Sequence, residues 1–161
     1  AVWGELKSGF ETKMIMTPPE AMREVANSPM ALPGISDGGA HTKFVTTARF
    51  ATDLLGYWVR EHNIMSLEDA HWRLSAYPAQ AAGLKNRGSL AEGMPSDIIV
   101  YDAGAIQSLP AERLWDYPAG EWRLVQKAKG YSHIIVNGEI TFNDGECTGA
   151  TPGRLLRHGA A

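Results

Sequence analysis

The sequence has little cysteine and no long apolar run. Its one cysteine, Cys147, cannot form a disulfide within the chain, which favours a reduced compartment. No apolar run approaches the roughly 20 residues that span a bilayer, and no signal-peptide pattern opens the sequence. We therefore expect a cytoplasmic protein with no membrane partner. Because the sequence begins Ala-Val-Trp-Gly-Glu without Met, we also expect further chain to precede it.

An excess of either charge is also missing. Lys and Arg number 15 against 18 Asp and Glu, a formal net charge of -3, and the charges are spread along the chain. There is neither a basic stripe for phosphates nor an acidic tail, so nucleic acid is not an expected partner. With 161 residues and 44% hydrophobic residues, the chain can bury a core as one domain or two small ones.

Several catalytic motifs are missing too. The sequence has no Gly-x-Gly-x-x-Gly after a strand, no P-loop, no Cys-x-x-Cys, no Gly-x-Ser-x-Gly and no His-x-His. Four histidines, His62, His71, His133 and His158, lack metal-ligand spacing and are interpreted as residues of helix surfaces or ends, or of a strand. Cys147 lies in an acidic, Gly-rich turn that would not lower its pKa, and is interpreted as structural or incidental.

The first half of the chain alternates between strand and helix signals. Residues 13–16 form a short apolar run, and Thr17-Pro18-Pro19-Glu20 is a helix start with Thr17 as the cap. This helix should end near Ala26, because a proline follows shortly after. Residues 30–35 are mostly apolar and predict a strand buried on both faces.

Two further helices are predicted. Apolar residues recur at three- and four-residue intervals and predict a long amphipathic helix: Phe44, Ala48, Ala51, Leu55, Trp58 and Val59. Ser66 then begins a capped helix that ends near Pro78, followed by a short helical turn with Gly83 as its stop.

The pattern changes to β after Gly88. Residues 97–102 predict a strand, and residues 131–136 and 139–142 predict a hairpin across Asn137-Gly138, since both turn residues must adopt positive φ. Residues 103–130 show no sustained period and predict an irregular excursion.

Asp37 is the principal candidate for chemistry. It follows an apolar strand and opens a glycine-rich loop that leads into a helix, where α/β proteins gather their functional groups. A carboxylate there can take a proton from a metal-bound water or bind the metal itself. Gly38 and Gly39 let the backbone approach a ligand, and His41 lies close enough to contribute a contact. Asp-Gly is also a common turn dipeptide, so a structural turn is the alternative.

Longer stretches resemble the metal-dependent amidohydrolases. Residues 30–41, Met-Ala-Leu-Pro-Gly-Ile-Ser-Asp-Gly-Gly-Ala-His, look like the eighth barrel strand of that family, whose Ser-Asp-Gly carries the catalytic aspartate. Residues 77–84 and 87–102 are similar to the family's passage from the last barrel helix to a flanking β-sandwich. Residues 133–138 and 148–154 resemble the branch of N-acyl-D-amino-acid deacylases, or D-aminoacylases, in particular.

The resemblance implies an α/β plus β fold. Residues 1–84 would be the last strand-helix units of a (β/α)8 barrel, and residues 85–161 would be part of a small β-sandwich, since a complete barrel needs roughly 250 residues. It implies hydrolysis of a small linear amide by a metal-activated hydroxide. Asp37 would be the general base and a metal ligand, with Gly38, Gly39 and His41 binding substrate.

The family's first-strand His-x-His and its other ligands have no counterpart in this sequence. The complete enzyme would hold zinc or another divalent metal, and this fragment would bind none and be inactive alone. Two alternatives stay open. One is a cyclic-amide hydrolase, such as a dihydroorotase or hydantoinase. The other is a non-catalytic module that self-associates through exposed strand edges.

Overall fold

The computed structural model describes residues 18–34, 36, 43 and 46–158, in which helices precede strands. Four α-helical elements occur in the described ranges: α1 Pro19–Asn27, α2 Phe50–Asp53, α3 Leu67–Leu74 and α4 Ala76–Ala81. In these ranges no helix is long and apolar enough to cross a membrane.

Helix α1 confirms the helix predicted from the proline-rich start. The N-cap is Pro18, without a side-chain capping bond, so the assignment of Thr17 as the cap is wrong. Pro19 at the first helical position fixes a helical φ and loses no bond there, which starts the helix without a hydroxyl cap. The strand predicted over residues 13–16 lies outside the described residues.

The segment after α1 corrects the strand predicted over residues 30–35. Residues 31–34 form no strand, and the side chain of Met30 is 87% exposed; residue 35 lies outside the described residues. The carbonyls of Ser28 and Ala31 accept hydrogen bonds from Nη1 of Arg73, at 3.0 and 3.1 Å. A side chain thus satisfies carbonyls that a neighbouring strand would satisfy in a sheet, and the proline in this stretch removes an N–H donor.

The predicted amphipathic helix is present, with less regular geometry than its spacing suggested. It runs as a 3-10 turn (Thr47–Arg49), then α2, then a π-helical stretch (Leu54–Glu61), which together are called the composite helix below. Leu54, Leu55 and Gly56 are consecutive buried residues. The wider π turns place three successive residues against the core, which the period of an α-helix would not do.

Helices α3 and α4 follow local signals. Oγ of Ser66 accepts a hydrogen bond from the backbone N–H of Asp69 at 3.0 Å, which confirms the predicted cap. The helix breaks at Ser75 (φ -128°, ψ -77°), three residues before Pro78. Pro78 has no N–H for the carbonyl of residue 74, and its ring would clash with that carbonyl. Gly83 follows α4 with φ of 72°, as predicted for a helix stop.

Most described strands belong to one antiparallel sheet. Its strands are, from one edge to the other, β1 Ile98–Tyr101, β4 Tyr131–Val136, β5 Glu139–Asn143 and β6 Glu146–Cys147. Asn137 (φ 47°) and Gly138 (φ 86°) join β4 to β5, which confirms the predicted hairpin. Cys147 is exposed as a free thiol.

A second hairpin lies where an irregular excursion was expected. Strands β2 (Gln107–Leu114) and β3 (Arg123–Lys129) pair in antiparallel fashion, so the prediction for residues 103–130 is wrong. The register of the pair shifts between Ser108 and Ala111, on either side of Pro110. This shift accommodates a proline that cannot donate to the ladder, and the largely exposed face of β2 explains the missing alternation.

One apolar cluster joins the helices to the strands. Its buried members are Leu54, Leu55, Ile64, Met65, Ala70 and Ile106. Ile106 is 0% exposed, and its backbone lies between two glycines, Gly56 and Gly130. A Cβ at Gly56 would lie 2.6 Å from the carbonyl oxygen of Ile106, and one at Gly130 would lie 2.7 Å from its Cα. Residues on both sides of residue 84, the predicted boundary between the barrel part and the β-sandwich part, therefore contribute to one core.

Candidate active site

The predicted site residues Asp37, Gly38, Gly39 and His41 all lie outside the described residues. The structure describes the positions around them, at Ser36 on one side and at Lys43, Thr46 and Thr47 on the other. Residues 37–42 are called the aspartate loop below. The candidate site is therefore defined by the contacts that hold the two ends of this loop.

The first contact joins Ser36, which precedes the aspartate loop, to Thr47, which follows it in the chain. Oγ1 of Thr47, the first residue of the composite helix, donates a hydrogen bond to the carbonyl oxygen of Ser36. Ser36 directly precedes Asp37 in sequence. The residue that introduces the candidate carboxylate is thus fastened to the start of a helix that packs on the core.

The second contact fastens the helix start to the β2–β3 hairpin. Oγ1 of Thr46 donates to Oε1 of Gln126 at 2.5 Å, and Nε2 of Gln126 donates to the carbonyl oxygen of Leu109 at 2.7 Å. Gln126 therefore links Thr46, just before the composite helix, to a carbonyl of β2. The contact between Thr46 and Gln126 joins residues 80 apart in sequence, so the spacing of the residues gave no signal of it.

The third contact is ionic. Nζ of Lys43 forms an ion pair with Oε2 of Glu121 and lies 5.4 Å from the ring centroid of Trp122. The guanidinium of Arg113 lies 4.5 Å from the same centroid. The hydrogen bond from Lys43, followed by its charge, lowers the pKa of the Glu121 carboxyl below its ordinary value. The hairpin thus presents a carboxylate and an indole to the lysine that follows the aspartate loop.

The ion pair between Lys43 and Glu121 should depend on pH. Because the folded-state pKa of Glu121 is lowered, the pair is complete above the ordinary pKa of 4.5 and is lost as the pH falls through the lowered value. Replacing Lys43 by methionine should raise the pKa of Glu121 toward 4.5. An NMR titration of the Glu121 carboxyl carbon measures this. Lys127→Met, on exposed β3 surface, is the control, and an equal rise in both variants would contradict the pairing.

Metal ligands do not gather in the described part of the chain. Among residues 18–34, 36, 43 and 46–158, no group of three or more His, Cys, Asp or Glu side chains could hold a metal ion. His62 packs its ring on Tyr57 at 4.5 Å between centroids, and Nε2 of His71 lies 2.7 Å from Oη of Tyr101. These positions agree with the interpretation of the histidines as structural. The described residues therefore do not form a metal site by themselves.

Sequence reasoning did not identify a groove of about 740 Å³ beside the composite helix. Three of its polar residues are engaged with each other: Nε of Arg49 lies 3.0 Å from Oδ2 of Asp53, and Oγ of Ser108 donates to Oδ1 of Asp53 at 2.7 Å. Nη1 of Arg60, another lining residue, donates to the carbonyl of Ile106 at 2.7 Å. These bonds hold the start of the β2–β3 hairpin to the composite helix. The charged side chains that form them therefore have a structural role.

Known proteins resemble this chain in sequence. N-acyl-D-glutamate deacylase from Alcaligenes xylosoxydans xylosoxydans is 34% identical over 110 residues, which cover 68% of this chain and 20% of that protein. D-aminoacylase from the same organism is 26% identical over 159 residues, which cover 98% of this chain and 31% of that protein. The chain therefore spans between a fifth and a third of the length of these relatives.

Solved structures agree with the sequence comparison. A D-aminoacylase mutant in complex with CuCl2 matches with a TM-score of 0.54 and 26% identity, over 66% of this chain and 21% of that one. A D-aminoacylase structure described by its binuclear metal centre matches with a TM-score of 0.50 and 25% identity, over 63% of this chain and 19% of that one. These neighbours support a fragment of the TIM-barrel superfamily fold.

A family model covers most of the chain. The model described as "Amidohydrolase family" matches residues 7–142, a range that includes the aspartate loop and strands β1 to β4. This match confirms the resemblance to the amidohydrolases. The chain belongs to the amidohydrolase family.

Proposed function

We propose that this chain is the C-terminal part of a metal-dependent amidohydrolase that hydrolyses the linear amide bond of an N-acyl-D-amino acid. The observation that carries the proposal is the alignment of 98% of the chain with D-aminoacylase, together with 34% identity to N-acyl-D-glutamate deacylase. Both relatives are named for hydrolysis of acylated D-amino acids, and the motif Ser-Asp-Gly-Gly lies within the family match.

The proposed architecture follows the same resemblance. Residues 1–84 would supply the last strand-helix units of a (β/α)8 barrel, and residues 85–161 would supply part of a flanking β-sandwich. The order of the described elements supports this, because α1, the composite helix, α3 and α4 all precede the antiparallel strands. The barrel strands would pair only when the preceding chain supplies their neighbours.

Asp37 is the residue proposed to move protons. Placed at the carboxyl end of a barrel strand, its carboxylate would take a proton from the attacking water and deliver it to the departing nitrogen. Gly38, Gly39 and His41 would contact the substrate. Asp37 would also contact a divalent metal, zinc by resemblance, whose other ligands we assign to chain outside these 161 residues because the family's His-x-His has no counterpart in this sequence. The isolated chain is therefore expected to be inactive.

One alternative substrate class has a specific observation in its favour. An allantoinase from Solibacter usitatus is 30% identical over 84 residues, which cover 52% of this chain and 18% of that protein. Allantoin is a cyclic amide, so this match keeps a cyclic-amide hydrolase open. The deacylase matches extend over more of the chain, at 68% and 98%, and favour the linear amide.

A non-catalytic, self-associating module is the remaining alternative. Strand β1 is an edge of the four-stranded sheet, and its Ile99 and Val100 side chains are 56% and 44% exposed. Unpaired edges of this kind favour pairing with another chain. Light scattering of the purified chain tests this alternative, and a clean monomer would count against it.

Substrate profiling of the complete enzyme tests the proposed function. With zinc supplied, kcat/KM for N-acetyl-D-glutamate or N-acetyl-D-methionine should exceed kcat/KM for dihydroorotate, hydantoin and allantoin by about 100-fold or more. The corresponding N-acetyl-L-amino acids are the matched controls for configuration. Faster turnover of the cyclic amides, or no amide hydrolysis at all, would contradict the proposal.

A further inference from the structure

Residues 82–97, called the linker below, connect helix α4 to strand β1 and contain neither helix nor strand. Nε of Arg87 lies 3.0 Å from Oδ2 of Asp97, and the Arg87 side chain is only 12% exposed. Oδ1 of Asp97 accepts a hydrogen bond from the backbone N–H of Asn137 at 2.7 Å. An ion pair within the linker is thus fastened to the turn between β4 and β5.

The side chain of Asn137 extends this attachment to a third segment. Its Oδ1 accepts a hydrogen bond from Nη2 of Arg87 at 3.1 Å, and its Nδ2 donates to the carbonyl oxygen of Pro152 at 2.7 Å. The reversed amide would set a donor against the guanidinium and an acceptor against the carbonyl, so the two bonds fix its orientation. Asn137 therefore holds Pro152 in place as well as turning the hairpin.

Residues 148–158, called the strap below, run from the sheet to helix α4. At one end, Oγ1 of Thr148 donates to the carbonyl oxygen of Ile140 on β5 at 2.7 Å. At the other end, Nδ1 of His158 lies 3.0 Å from the carbonyl oxygen of Ala82, the C-cap residue of α4. Because a carbonyl oxygen only accepts, Nδ1 of His158 is the donor. The strap therefore joins the sheet to the end of the helix that precedes the linker.

The imidazole of His158 occupies the space beside Gly83 where a side chain would lie. A Cβ at Gly83 would lie 2.3 Å from Cε1 and 2.4 Å from Nδ1 of His158. These distances are far below van der Waals contact, so any other residue at position 83 would displace the ring. Gly83 thus has two roles. Its positive φ ends α4, as the sequence predicted, and its missing side chain makes room for His158.

Between Pro152 and His158 the strap has no further attachment to the described part of the chain. Residues 153–157 form no hydrogen bond or ion pair with other described residues, and the side chain of Leu155 is 77% exposed. Loss of the His158 contact would therefore release residues 153–158 without disturbing the buried core. We propose that the strap is a conformational device whose residues 153–158 open and close as a unit, held closed against α4 by the fit of His158 on Gly83. This inference does not depend on the function proposed above.

Limited proteolysis of the full 161-residue chain tests the strap. Trypsin cleaves after Arg154 and Arg157, which lie in the segment that opens. When opening and closing are fast, the rate of cleavage follows the open population. Gly83→Ala and His158→Ala should each raise this rate by about 3- to 10-fold, as expected for loss of a hydrogen bond. The double variant should be cleaved no faster than the faster single variant, because both changes remove the same contact.

Gly93→Ala is the matched control for Gly83→Ala. Gly93 lies in the same linker with a positive φ of 82°, but a Cβ there would meet nothing within 4 Å. Gly93→Ala therefore adds comparable backbone strain without displacing His158, and cleavage after Arg154 and Arg157 should match that of the unaltered chain. Cleavage after the buried Arg73 reports unfolding of the core and should be equal in the two glycine variants.

Three proteolysis results would each overturn the inference. The first is equal cleavage after Arg154 and Arg157 in Gly83→Ala and Gly93→Ala. The second is cleavage of His158→Ala at the rate of the unaltered chain. The third is a rise in the double variant that equals the product of the two single rises.

NMR gives a second measurement, which begins with the unaltered chain. A nuclear Overhauser effect is expected between Hε1 of His158 and the Hα protons of Gly83, because the ring lies against the glycine. In Gly83→Ala, the backbone order parameters of residues 153–158 should fall below about 0.6, while those of β1 stay at about 0.85. Absence of the Overhauser effect in the unaltered chain, or equal order parameters of residues 153–158 in the two chains, would show that His158 does not close the strap.

Discussion

Asp37→Asn should lower the turnover of the complete, metal-loaded enzyme by about 10²- to 10⁴-fold, the usual contribution of a positioned general base. Asparagine keeps nearly the same shape and accepts hydrogen bonds, but it cannot take a proton at neutral pH. The loss should therefore appear in kcat for every substrate that the enzyme hydrolyses. Steady-state kinetics at saturating metal, with metal content measured beside them, test this directly.

The control for this substitution is Asp144→Asn. Asp144 lies in the exposed turn between β5 and β6 with φ of 47°, a conformation that asparagine also adopts readily. Asp144→Asn therefore makes the same chemical change outside the proposed site, and the turnover of this variant should equal that of the unaltered enzyme. If Asp37→Asn kept full turnover with its metal content intact, Asp37 would belong to a structural turn and the proposed chemistry would be wrong.

Gly130→Ala should destabilise the chain by about 2–4 kcal/mol. Gly130 has φ of 93°, which strains any residue with a Cβ, and the new Cβ would lie 2.7 Å from both the Cα and the N of Ile106. Those are backbone atoms of a fully buried residue whose carbonyl oxygen also lies close to Gly56. The core cannot yield there without moving the composite helix.

Gly145→Ala separates backbone strain from the clash with Ile106, the two causes of the destabilisation expected for Gly130→Ala. Gly145 also follows a strand of a hairpin with a positive φ, 85°, but a Cβ there would meet nothing within 4 Å. It should report the strain of the backbone alone, about 1–2 kcal/mol. Urea denaturation of both variants measures the difference. Equal losses in the two variants would show that Ile106 is not clamped between glycines.

Short-range signals predicted the elements that local chemistry decides. The proline at the start of α1, the hydroxyl of Ser66 and the Asn137-Gly138 turn each act within four residues, and each gave the element predicted for it. The strand over residues 30–35 failed because a strand depends on a partner strand, and Arg73, 42 residues away, satisfies the carbonyl of Ala31 instead. The β2–β3 hairpin was missed because β2 is exposed and contains a proline.

The distinction between local signals and long-range contacts also applies to the candidate site. The Ser-Asp-Gly-Gly sequence is local, so reading the chain could single out Asp37 and its glycines. The contacts that hold the aspartate loop are not local, since Thr46 and Gln126 lie 80 residues apart and Lys43 and Glu121 lie 78 apart. No spacing rule links such pairs, and only the folded chain brings them together.

A crystal structure of the complete enzyme with zinc would show where the Asp37 carboxylate lies. If Asp37 moves the proton, one of its carboxylate oxygens should lie about 2.0–2.2 Å from the metal, or about 2.6–3.2 Å from a water bound to it, at the carboxyl end of a barrel strand. A metal held entirely by other residues, with the Asp37 side chain in a surface turn facing solvent, would contradict it.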